Sequence, residues 1–276
     1  MRITFLGTGG ARFVTVNQLR ATGGWILEMA GEMIHVDPGP GALVRAKQYG
    51  VRLSKLTGVV LSHAHPDHTT DAQMVVEAMT QGALKKKGVV LGNEHVFRGG
   101  ENFIPALPKY HLDSLDRHEI MEPGKKAWIG KVLVEAVPAR HTEPKALGFV
   151  FSAGKEKVGY TGDGEYYEGQ ERHFRNCDYL LINCHRPKGF PIKGYMDTGG
   201  AKNLIRGAKP GLAVLTHLGM KMLRGVAEKE ARWIEKEADV KTIAARDGMV
   251  IDSENRQKAS ADAFNPKTKG LGKFLE

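Results

Sequence analysis

The stretch Leu56-Thr57-Gly58-Val59-Val60-Leu61-Ser62-His63-Ala64-His65-Pro66-Asp67-His68 decides the reading of this chain. Leu56 to Leu61 is a short apolar run of the kind that forms a buried strand. It delivers three imidazoles and a carboxylate within six residues. These groups are costly to bury unpaired, yet they suit a divalent metal. Strand ends are also where a rigid sheet presents ligands. A helix is predicted next, with Asp71 as its N-cap and Ala72, Val75, Val76 and Met79 at helical spacing.

Three later segments have the same form. Val132 to Val137 leads to Pro138-Ala139-Arg140-His141, Val158 to Gly162 leads to Asp163, and Leu212 to Thr216 leads to His217. Each alone reads as a solvated histidine or a turn aspartate. Together they bring His63, His65, His68, His141 and His217, with Asp67 and Asp163, to four strand ends.

The surrounding pattern alternates strands and helices. Arg2 to Leu6 is extended and closes in Gly7-Thr8-Gly9-Gly10, with no helix expected after it. Trp25 to Met29 and Met33 to Val36 form a hairpin, broken by Asp37-Pro38-Gly39-Pro40-Gly41. A helix is expected over residues 42–49. Short strands are expected at 89–91, 146–152, 157–161 and 179–182. An amphipathic helix is expected over 221–238, with Leu223, Val226, Ala227, Ala231, Ile234 and Ala238 on one face. Lys241 to Ala244 and Met249 to Ile251 close the ordered fold, and residues 83–129 show little pattern beyond the one strand.

The motif series His63-x-His65-x-Asp67-His68, His141, Asp163, His217 resembles that of the metallo-β-lactamase superfamily, over roughly residues 1–251. The resemblance implies an α/β fold, a single-domain αββα sandwich, followed by a polar tail or extension over 252–276. It further implies His63, His65 and His141 on one metal, Asp67, His68 and His217 on a second, and Asp163 bridging. Nitrogen and oxygen ligands without sulfur suit zinc, with manganese and iron as alternatives. Two such ions would generate a bridging hydroxide near neutral pH, oriented by Asp67, so the implied activity is hydrolysis.

The opening Leu6-Gly7-Thr8-Gly9-Gly10 and the Asp37-Pro38-Gly39 turn look like the branch containing tRNase Z and related phosphodiesterases. Asp37 is a candidate to buttress the ligands. Three departures stand out. Only residues 142–162 separate His141 from Asp163, which leaves no room for a tRNA-clamping arm. The stretch matching that branch's later histidine motif, Gly194-Tyr195-Met196-Asp197-Thr198-Gly199-Gly200-Ala201, has no histidine. Thr70 and Asp71 replace the glycines that often follow the main motif. His185 and Asp197 are therefore the candidates for serving the leaving group. Cys177 and Cys184 read as free core thiols, Lys85 to Lys87 as a basic helix end, and Arg12 and Arg20 as contacts for an anionic substrate or plain surface residues.

Composition bounds the rest. The 276 residues carry 40 Lys plus Arg against 31 Asp plus Glu, a formal charge of +9, with two cysteines. Two cysteines exclude a disulfide scaffold and point to a reducing compartment. No apolar run reaches the roughly 20 residues of a membrane helix, and the start lacks a leader's apolar core, so a cytoplasmic protein is expected. From Asp252 onward five cations face four acids, so the excess charge lies in the folded part. It favours a small or medium anionic substrate over a large nucleic acid, with no membrane partner, while homo-oligomerisation stays open. Phosphodiester hydrolysis leads. Lactone or thioester hydrolysis, and nucleic-acid binding around a structural metal, are the alternatives.

Overall fold

Successive side chains along the central strands enter different apolar clusters, one between two sheets packed face to face and the others beneath the outer helices. The computed structural model describes residues 1–253. The first sheet contains β1 (Arg2–Phe5), β2 (Trp25–Met29), β3 (Glu32–Val36), β4 (Gly58–Leu61), β5 (Val89–Gly92) and β6 (Arg117–Ile120). The second contains β7 (Lys126–Ile129), β8 (Val132–Pro138), β9 (Leu147–Ala153), β10 (Glu156–Tyr160), β11 (Tyr179–Arg186), β12 (Met196–Asp197), β13 (Leu212–Thr216) and β14 (Thr242–Ala244). The chain then returns to the first sheet through β15 (Val250–Asp252). The strand orders are β15-β1-β2-β3-β4-β5-β6 and β14-β13-β11-β10-β9-β8-β7, with β12 paired to β11.

The two-residue period of a strand explains the layers. On β11, Tyr179 and Leu181 face the central core with Phe149, Phe151 and Trp25. Leu180, Ile182 and Cys184 face the opposite way, beneath α7 (Thr198–Ala208) and α8 (Val226–Ala238). On β4, Val60 points to the centre, while Val59 and Leu61 pack under α2 (Ala42–Gln48) and α4 (Ala72–Thr80). Helices thus cover both outer faces, giving the αββα sandwich and a single domain over most of the chain. Cys177 and Cys184 are free and buried, and burial pushes the Cys177 thiol up to about 12. Among the described residues, no helix is long and apolar enough to cross a membrane.

Strand direction sets the position of the site. β8 and β10 each run antiparallel to β9, and β10, β11 and β13 run parallel to one another. Their C-terminal ends therefore share one rim. β3 and β4 are parallel in the facing sheet, and their ends supply Asp37 and His63.

Several local expectations need correction. A short helix, α1 (Ala11–Val16), does follow Gly10. Asp71 occupies the N-cap position of α4 but makes no cap there, because its backbone is not extended. Its carboxylate instead accepts from the Leu43 N–H in the first turn of α2. Helix α4 ends at Thr80, before Lys85 to Lys87, and Lys87 Nζ reaches the Ser54 carbonyl. The last long helix begins at Val226 rather than 221, because Arg224 and Gly225 take positive φ and break the run. Residues 83–129 hold α5 (Glu94–Arg98), α6 (Lys109–Asp113) and strands β5 to β7. The expected tail lies outside the described residues beyond Ser253.

Candidate metal centre

Four strand ends bring the seven predicted ligands together. His63 and His65 follow β4, Asp67 and His68 lie on the one-turn helix α3 (Pro66–Thr69), and His141, Asp163 and His217 follow β8, β10 and β13. Three groups of donor atoms converge, each within 4.8 Å: His63, His65 and His141; Asp67, His68 and His217; and His63, His68 and Asp163. In the first group, His65 Nδ1 is 2.9 Å from His63 Nε2 and 3.1 Å from His141 Nε2. In the second, His217 Nε2 is 3.1 Å from His68 Nε2 and 3.3 Å from Asp67 Oδ2. Asp163 Oδ2 lies between the groups, 3.4 Å from His217 Nε2, 3.5 Å from His68 Nε2 and 3.9 Å from His141 Nε2.

Outer partners fix the ring orientations. His63 Nδ1 is 3.0 Å from Ser62 Oγ, His68 Nδ1 is 2.9 Å from Asp37 Oδ2, and His141 Nδ1 is 2.6 Å from the Gly194 carbonyl. The last two acceptors require an N–H on Nδ1. Ser62 Oγ donates to Asp37 and so accepts from His63. All three rings therefore turn Nε2 inward, the arrangement by which a second hydrogen bond sets a metal-binding tautomer.

Asp37 is the hub of this support. Its carboxylate accepts from Ser62 N–H, Ser62 Oγ, His68 and the Tyr160 hydroxyl at 2.6 Å. Asn183 Nδ2 donates to the Tyr160 oxygen at 2.9 Å and to Asp163 Oδ1 at 2.7 Å, linking both groups. Asp37 and His217 both adopt positive φ, 51° and 53°, a strained conformation for residues with a side chain. The Gly-rich turn has a specific task here. Ala11 N–H donates to Asp67 Oδ2, and Gly10 lies so close to His217 that a Cβ would meet its ring at 2.2 Å. Arg20 does not face a substrate, since its guanidinium bonds Thr8 Oγ1 and the Ala245 carbonyl.

The electrostatics call for cations. Burial, then the neighbouring His68 charge, holds His63 well below the usual imidazole range, and burial likewise lowers His65. Both are neutral, as metal ligands must be. Burial opposes charge on His68 too, but Asp163, Asp67 and Asp37 outweigh it and raise its pKa well above normal. Asp163 is held well below the carboxylate range, because His217 and His68 outweigh its burial. Inward lone pairs at about 3 Å, within a ring of carboxylates, fit bound divalent ions. Donors about 2.0–2.1 Å from a tetrahedral ion lie a little over 3 Å from one another.

Residues 32–218 match the beta-lactamase superfamily domain, a span that contains all seven donors. The chain belongs to that superfamily. An uncharacterized protein of Methanocaldococcus jannaschii is 35% identical, with 91% of this chain and 95% of that one covered. A ribonuclease Z of Methanopyrus kandleri is 26% identical, covering 90% and 96%. The crystal structure of the metallo-beta-lactamase fold protein YhfI from Bacillus subtilis superposes with a TM-score of 0.74 at 22% identity, covering 91% and 99%.

The two leaving-group candidates fare differently. His185 is buried beside the donors, its ring 4.7 Å from Tyr195 and 6.4 Å from His217. Burial, then the His217 charge, lowers its pKa to about 4, so it is a neutral imidazole at pH 7. Asp197 is not brought to the cluster. Its carboxylate caps α7 by accepting from Gly200 N–H, the ordinary use of an aspartate at that position.

Sequence reasoning missed Tyr195, Asn183, Tyr160 and the Glu143 group. Tyr195 packs edge-on against His141 with centroids 5.0 Å apart. Glu143 is fully buried, accepts from Asn93 Nδ2 and pairs with His95 Nδ1 at 2.5 Å. His95 stacks on Phe103, which also touches His65. Only Glu143 carried a signal in the chain, as an acid two residues beyond His141.

Proposed function

We propose that this protein hydrolyses phosphodiesters with two divalent metal ions, zinc in the first instance. The observation that carries this reading is the position of Asp163 Oδ2, shared between two sets of three donors. His63, His65 and His141 would hold one ion, and Asp67, His68 and His217 the other, with Asp163 common to both. Ions held there supply a water of lowered pKa and polarise the scissile group.

The chain's own residues do the remaining work. Asp67 is anchored through Oδ2 by the Ala11 N–H, so its other oxygen is free to orient the attacking water. Asp37, through Ser62, His68 and Tyr160, keeps the donor set in register for both ions. His185 is neutral at pH 7 and serves the leaving oxygen as a hydrogen-bond partner rather than as an imidazolium acid. The net charge of +9 and the similarity to a ribonuclease over most of the chain support a phosphodiester over a carboxylic substrate.

A three-substrate panel tests this reading: bis-p-nitrophenyl phosphate, a simple lactone and a glutathione thioester, each with zinc or manganese. Phosphodiester turnover is expected, falling by about 10²-fold or more in Asp67→Ala. Lactone or thioester turnover without phosphodiester turnover contradicts it. So does tight, chelator-resistant RNA binding with no hydrolysis.

A further inference from the structure

Three segments converge on the mouth of the metal centre, and all three lack acids. Residues 6–27, 186–196 and 217–227 contain no Asp or Glu, yet they carry Arg12, Lys188, Lys193, Lys221 and Arg224 as exposed cations. Gly9 bridges to Leu218, Gly219 abuts the His185 ring, the Gly194 carbonyl holds His141, and the N–H of Ala11, next to Arg12, donates to Asp67. Several nearby acids are engaged: Glu165 by Gly194 N–H, Asp197 by Gly200 N–H, Glu230 by Thr198, and Glu228 through Oε1 by Arg246.

The same segments expose apolar side chains. Phe13 (69%), Val16 (76%), Leu19 (50%), Phe190 (52%), Ile192 (40%) and Met220 (56%) are half of the exposed large hydrophobics among the described residues. Lys221 Nζ sits over the Phe190 ring, 4.1 Å from its centroid, joining two of the segments and pairing a cation with a half-exposed aromatic side chain.

We infer that this rim binds single-stranded nucleic acid, with bases stacked on Phe190 and Phe13 and phosphates on Lys221 and Arg12, which leads the strand to the metal centre. The inference rests on the phosphodiesterase reading and names its substrate class. A single strand offers the two features the rim requires, flat apolar faces and closely spaced negative charge. A second copy of this chain fits poorly, because a two-fold contact would set cations against cations.

The test is fluorescence anisotropy of a labelled deoxythymidine decamer with the full-length, zinc-loaded Asp67→Asn protein, in which binding is read apart from cleavage. Salt-dependent binding is expected. Phe190→Ala and Lys221→Ala should each weaken it about tenfold, and Phe190→Tyr should retain it. Unchanged melting curves and zinc content would show that these surface variants remain folded. Absence of binding, or binding indifferent to both alanine variants, overturns the inference. Variant-sensitive binding to phosphatidylglycerol vesicles but not to the decamer also overturns it. Failure of the phosphodiester panel would instead strike the hydrolase reading, since the decamer measurement does not depend on turnover.

Discussion

Asp37 sits one strand away from His68, and four hydrogen bonds end on its carboxylate. Replacing it with Asn turns one acceptor oxygen into a donor facing other donors. Outer partners of this kind are worth about 10–100-fold in metal affinity, so Asp37→Asn should weaken zinc binding by that factor in a chelator-competition titration. His185→Ala should lower kcat while leaving metal content unchanged; an unchanged kcat would remove His185 from the mechanism. His35 makes a separate prediction. It is fully buried with Nε2 on the Gly23 carbonyl, and burial lowers its pKa to about 4. The unfolded chain takes up this proton near pH 6.5 and the native chain only near 4, so stability falls as pH drops through that window. A shift to about 4 corresponds to roughly 3 kcal/mol. Metal-free His35→Gln should show a flatter dependence of Tm on pH between 6.5 and 4.

At the level of elements, the Gly-rich turn and α1 act as a clamp on the site. A Cβ at Gly10 would overlap the His217 ring, so Gly10→Ala must push the ring or the turn away. Overpacking of this kind costs about 1–3 kcal/mol. The expected outcome is a Tm lower by several degrees, with zinc lost first from the Asp67, His68 and His217 set. The clamp was poorly legible in sequence. Six residues of helix after Gly10 carry no clear apolar period, because only Val14 is buried. Asp71 stands at the N-cap position without capping for a related reason: a composition cue marks the start of a helix but not the direction of the side chain. The apolar strands β4, β11 and β13 were legible because each is buried on both faces and reads as a short continuous run, whereas β8 was legible by its alternation and β10 by its buried end, Val158 to Tyr160. Residues 83–129 were not. Strands there such as β6 are mostly exposed, and their helices are five residues long.

Across the whole molecule, the site arises from four strand ends meeting at one rim, and His63, His65, Asp67, His68, His141, Asp163 and His217 announced themselves by following apolar runs. Their supports did not. Asn183 and Tyr160 lie inside buried strands and carry no mark of their neighbours, and Tyr195 follows a loop whose position depends on the pairing of β12 with β11. Contacts between distant segments of this kind leave no local pattern to read. The central claim is that these seven side chains hold two ions, and metal analysis tests it most directly. Protein dialysed against micromolar zinc and then against buffer should contain two zinc ions per chain by mass spectrometry, and one or fewer in Asp163→Ala. A wild-type content of one ion or none would contradict the account.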